Sequence, residues 1–151
     1  MPLMFSTTST VAEAMGTKLH FPEDDAPWVE TPIVATPVDV NKVKVVDPWR
    51  DGRLPVYLGA ARHVLSTIGD NVFVGCIFAA PFTTASHLRG TDTLIRETYK
   101  NPGLVYELML LAKASALNMI DAFVELGVVP VIVEPDHPWG VVNVRRDSNL
   151  Q

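Results

Sequence analysis

The run Val72-Phe73-Val74-Gly75-Cys76-Ile77-Phe78-Ala79-Ala80 constrains this chain more than any other feature. It is apolar without alternation. A strand with one wet face alternates apolar and polar residues. A strand covered on both faces does not, and such strands belong to parallel sheets flanked by helices. Val131-Ile132-Val133 is a shorter version of the same pattern. Between the two runs the apolar spacing is helical. Asn101-Pro102 opens a long helix that ends at Gly127, and its stripe (Val105, Leu108, Met109, Ala112, Ala116, Met119, Ile120, Phe123) is broad enough to cover a face. Buried strand, helix, buried strand is a βα repeat, so the class is α/β.

The remaining segments extend this reading. Pro2-Leu3-Met4-Phe5 reads as the end of a strand that runs into the hydroxyl cluster Ser6 to Thr10. Thr10 and Glu13 have capping-box spacing, which predicts a short helix to Met15 stopped at Gly16. Lys18 to Phe21 and Val29 to Val34 read as short strands around the acidic turn Pro22 to Pro27. Thr36-Pro37-Val38-Asp39 is a helix start, ended by Asp47-Pro48. Asp51 and Pro55 open a further helix with Leu54, Leu58, Ala61, Leu65 and Ile68 on one face, closed by Gly69. Pro81 terminates the first apolar run, Thr83 to Leu88 forms a turn of helix, and Asp92 to Lys100 a further short helix. About three parallel core strands are therefore expected, near residues 2–5, 72–80 and 131–134. Residues 1–135 form one domain, and 136–151, which carry no long periodic run, form an irregular tail.

Composition excludes several function classes. The net charge of −5 has no basic stripe, which argues against nucleic acid as a partner. Cys76 is the single cysteine, so no internal disulfide forms. The N-terminus carries no basic leader, and Glu107, Lys113, Asp121 and Glu125 interrupt the longest apolar-rich segment, against a membrane span. A cytoplasmic chain is expected.

Parallel α/β folds, whether doubly wound sheets or (β/α)₈ barrels, bind ligands at the carboxyl ends of their strands. That rule selects Ser6-Thr7-Thr8, then Ala80 to Thr84, then Glu134 to His137. The hydroxyl cluster also serves as cap and loop. Glu134 is an acid at a strand tip, or a solvated loop residue. His87 follows Phe82 by about one helical turn and so leans over the same face, or else sits as a surface histidine. Glu134, Asp136 and His137 lack a spacing that directs them to one metal ion, and no zinc motif is present. No glycine-rich phosphate loop is present either. Cys76 lies in apolar surroundings that raise a thiol's pKa, so it is a poor nucleophile.

Three of these segments together resemble the uroporphyrinogen decarboxylase superfamily, which includes corrinoid-dependent methyltransferases acting on coenzyme M. Phe5-Ser6 followed by Ala14-Met15-Gly16 resembles the superfamily's second strand and loop. Ala80-Pro81-Phe82-Thr83 resembles the decarboxylase's Gly-Ala-Pro-Trp-Thr. The Asn101-Pro102 helix, Glu125-Leu126-Gly127 and Val131-Ile132-Val133-Glu134-Pro135 resemble the crossover and strand that follow, nearest to the methyltransferase branch. The resemblance implies an incomplete (β/α)₈ TIM-barrel segment and a tetrapyrrole or corrinoid pocket lined by Thr7, Phe82, Thr83, His87 and Glu134. It also implies two departures. Thr7 stands where the decarboxylase has its catalytic aspartate, and His87 where it has a substrate-touching tyrosine. The zinc ligands of the methyltransferases belong to a half of the barrel that this chain lacks. No metal is expected, and a corrinoid only on the methyltransferase branch.

A full (β/α)₈ barrel needs roughly 250 residues, against 151 here. The chain reads as a truncated frame. One expectation is therefore a segment of a decarboxylase-like or methyltransferase-like enzyme. A second is a non-catalytic fragment that folds by homo-oligomerising or by pairing with a complementary barrel half. A third is an unrelated flavodoxin-like domain, in which strand order reverses at a switch point.

Overall fold

The computed structural model describes residues 3–5 and 8–133. Three strands form a parallel sheet: β1 (Leu3–Phe5), β4 (Gly75–Ala79) and β5 (Val129–Val133), in the order β1-β4-β5. The registers are direct, with Leu3 opposite Gly75 and Gly75 opposite Val129. Every residue of β4 is buried, as a run without alternation requires. A separate antiparallel pair, β2 (Lys18–His20) and β3 (Trp28–Thr31), flanks the acidic turn and has a register shift at Lys18/Leu19.

Five α-helices connect the strands among the described residues: α1 (Thr10–Ala14), α2 (Leu54–Ile68), α3 (Pro81–Arg89), α4 (Thr91–Lys100) and α5 (Pro102–Leu126). The helix expected to start at Thr36 is a 3₁₀ turn, Pro37–Lys42, whose start carries a Thr36–Asp39 capping box. In α5, Asn101 accepts a hydrogen bond from the Leu104 amide at 3.5 Å, and Gly127 ends the helix at φ 79°, a left-handed conformation that a Cβ would strain. Leu108, Ala112, Met119 and Phe123 of α5 pack with Leu54 and Leu58 of α2 and Phe78 of β4 in one core. Phe123 meets Phe78 and Tyr57 at ring-centroid distances of 5.7 Å. By length and mean hydropathy (1.3) α5 would suffice to cross a membrane, yet one of its faces is spent on this core.

Several expectations shift. The strand expected over 72–80 spans only Gly75–Ala79, because Val72 and Phe73 belong to the turn after α2 and are exposed at 40% and 77%. Pro81 does more than stop β4. It is the first residue of α3, so the expected single turn is a helix of nine residues. The Thr10/Glu13 capping box does not form. Ser9 holds the cap position, and Glu13 is drawn away by Arg53, whose Nε and Nη2 reach its carboxylate at 2.9 and 2.8 Å. β5 begins at Val129, two residues earlier than expected, and includes Pro130. The Val129 amide bonds Val74 at 3.0 Å, so alternation turns Pro130's missing donor away from β4, toward the free edge where proline is tolerated. The boundary expected at residue 135 and the tail beyond it lie outside the described residues.

Candidate functional site at the carboxyl end of β4

Because β1 and β4 are parallel, the segments leaving them, α1 and α3, emerge on the same side of the sheet and pack on each other. Ser9, Thr10 and Thr17, at and beyond α1, are buried, as are Thr83, Thr84 and Ser86 of α3. Buried hydroxyls need partners, and two of these contacts are explicit. Ser86 donates to the Thr83 carbonyl at 2.8 Å, and Thr17 donates to the His87 carbonyl at 3.5 Å.

Thr83 and His87 are four residues apart in α3 and share a face. Phe82 lies at least 100° around the helix and packs, partly buried, against the core. The structure thus brings together two of the expected site residues and gives the third a packing role. Thr7 and Glu134 lie outside the described residues. His87 is half-buried, and burial lowers its pKa below the ordinary histidine value. Its Nδ1 is fully enclosed and, among the described residues, has no hydrogen-bond partner. A buried N–H without a partner is among the rarest orphans in proteins, which favours a bare Nδ1 with the ring proton on Nε2. His87 is then a neutral donor.

A clamp holds this end of α3. The Val34 amide donates to the Leu88 carbonyl at 2.9 Å. Arg89 donates from Nη1 to the carbonyls of Val34 (2.8 Å) and Ala35 (2.6 Å), and its Nε and Nη2 reach Glu97 of α4 at 2.9 and 2.8 Å. Sequence reasoning missed Thr17, Arg89 and Glu97. Arg89 and Glu97 are eight residues apart, about 12 Å on a continuous helix, and they meet only because the chain turns at Gly90, whose φ is 88°. Cys76 stays inert, its thiol pushed up to about 11 by burial.

The model of the family described as Uroporphyrinogen decarboxylase (URO-D) matches residues 2–142. The chain belongs to the uroporphyrinogen decarboxylase family. Among its relatives, a uroporphyrinogen decarboxylase of Vibrio vulnificus is 26% identical over 154 residues, 98% of this chain and 42% of that protein. A methylated-thiol–coenzyme M methyltransferase of Methanosarcina mazei is 32% identical over 99 residues, 62% of this chain and 25% of that protein. A solved methyltransferase from Methanosarcina mazei superposes with a TM-score of 0.78 over 88% of this chain and 40% of its own, at 24% identity, which establishes a shared fold. The chain thus spans about 42% of the length of the family's curated decarboxylases. Within the described residues the sheet is open. Its three strands run in sequence order without reversal, as an arc of a parallel barrel does.

Proposed function

We propose that this chain is an arc of a (β/α)₈ barrel that supplies part of a strand-end pocket for a tetrapyrrole macrocycle, porphyrinogen or corrinoid. The observation that carries the reading is the placement of Thr83 and His87 on one face of α3 directly after β4, within a chain of this family. A neutral imidazole with its proton on Nε2 offers a directional donor to an acceptor on the ligand's periphery. Phe82 stiffens the start of α3 from the core side, and Thr7 and Glu134 would complete the rim. Decarboxylation by this chain is not part of the proposal, since Thr7 supplies a hydroxyl where the resemblance places a carboxylate.

Titrating the purified chain with uroporphyrin and, separately, with methylcobalamin, followed by absorbance, tests the reading and distinguishes the two ligand sources. Saturable binding of one, weakened about tenfold in His87→Ala with an unchanged melting curve, is the expected result. That factor corresponds to about 1.4 kcal/mol, the size of one lost hydrogen bond. No binding of either ligand sinks the proposal for this chain.

A second reading, a non-catalytic fragment that folds by association, is favoured by the two sheet edges that are unpaired among the described residues, on β1 and β5. Sedimentation equilibrium separates the two readings. A compact monomer that melts cooperatively at low concentration argues against association.

A further inference from the structure

α5 is apolar on two opposite sides. Its buried stripe faces the core. Tyr106, Leu110, Leu117 and Val124 are exposed at 66, 46, 49 and 45%. At 100° per residue this second stripe is centred roughly 160° from the first. On the barrel reading proposed above, neighbouring strand–helix units pack beside α5 in the outer ring of helices and not over its outward side. The stripe follows alternating steps of four and three residues through Tyr106, Leu110, Lys113, Leu117, Ile120 and Val124, and runs about 27 Å along the helix. Four large apolar side chains exposed in one row make a ready-made seam for another helix.

The border of the stripe identifies the occupant. Glu107, Asp121 and Glu125 lie along one side, and among the described residues none of the three has an ion-pair partner. Asp121 and Glu125, with Asn118, also line a groove of about 400 Å³ whose other wall is Asp47, Pro48 and Trp49. Arg50 reaches Asp47 only at 3.7 Å, and Arg62 covers one side of the Trp49 ring at 5.8 Å. The unmet negative charge of the groove is therefore that of Asp121 and Glu125 on its α5 wall, next to the apolar seam and opposite an Asp47 and an indole that already engage Arg50 and Arg62. A second copy docked antiparallel would bring its own acidic border against this one. An anionic lipid surface would meet the same repulsion.

We propose that the outward face of α5, with the Asp47–Trp49 groove, is a docking surface for an amphipathic helix of another protein whose apolar stripe is bordered by lysine or arginine. The stripe buries against Leu110, Leu117 and Val124, and one basic side chain enters the groove between Asp121 and Glu125.

The test uses the full chain and two synthetic helical peptides of 21 residues, both with leucine at four-three spacing. One carries lysine and the other glutamate along the border. Fluorescence anisotropy should show saturable binding of the lysine peptide, at least tenfold tighter than the glutamate peptide and weakened by salt. Leu117→Asp should abolish binding, and Asp121→Asn/Glu125→Gln should remove the preference for lysine. Circular dichroism should show both variants folded, since these side chains are exposed. Equal binding of the two peptides, or none, overturns the proposal. So does a concentration-dependent dimer lost in Leu117→Asp, which would make a second copy the occupant, or partition onto phosphatidylglycerol vesicles, which would make it a lipid surface.

Discussion

At the scale of single residues, His87 and Cys76 illustrate how burial sets chemistry. An unfolded histidine titrates near 6.5, and folded His87 titrates lower because burial penalises the imidazolium. As the pH falls below about 6.5 the unfolded chain therefore takes up a proton that the folded chain refuses, and stability drops. Above that pH both forms are neutral and the effect vanishes. Thermal melts of the wild type and His87→Gln between pH 7.5 and 5 should show the wild type losing more stability on acidification; parallel curves would mean that the imidazole protonates freely in the folded chain. Cys76, held up to about 11, should react with iodoacetamide at pH 8 far more slowly in the folded chain than in urea. The two residues differ in legibility. The inertness of Cys76 follows from its apolar neighbours in sequence. The enclosed Nδ1 of His87 does not, because burial of α3 comes from segments distant in the chain: α1 packs on it, and Thr17 and Val34 bond the His87 and Leu88 carbonyls.

At the scale of elements, α5 was almost fully legible, because its start, period and stop are local. Asn101 and Gly127 mark its ends by mechanisms that involve only neighbouring backbone. Asn101→Ala should lower stability by about 1 kcal/mol in urea unfolding. Leu108→Ala, at a fully buried position of the same helix, should cost about 2–5 kcal/mol. The α3–α4 corner was less legible, since Arg89 joins three chain segments across a glycine. Its side chain and that of Glu97 are 10% and 13% exposed, so removing the guanidinium strands a largely buried carboxylate and two carbonyls. Arg89→Ala should cost about 3 kcal/mol, and Arg89→Lys should recover only part of it, since an ammonium cannot reach the carboxylate and both carbonyls in the same plane. A melting temperature unchanged in Arg89→Ala would show that the corner is held by packing alone. The failed capping box at Thr10 is the same lesson in reverse. Its spacing was right, but Arg53, distant in sequence, competes better for Glu13 than the helix's own amides do.

At the scale of the whole molecule, β4 is paired on both sides and buried along its length, while β1 has three residues and, among the described residues, one neighbour. Amide hydrogen exchange should therefore be slowest in β4, intermediate in β5 and fastest in β1. Equal protection of β1 and β4 would mean that the outer edge of β1 is paired in solution. The sequence by itself determined the class of this protein: continuous apolar runs separated by helical periodicity admit a parallel α/β sheet and little else, because that pattern follows from which faces each element must bury. It determined the family as well, through motifs held in order. Only the tertiary structure decided where the candidate residues sit. Thr83 and His87 share a face, while Phe82 turns to the core. It also decided that the second apolar side of α5 faces outward. Period identifies that a face must be buried. What buries it, and what remains open, depends on contacts between segments far apart in the chain.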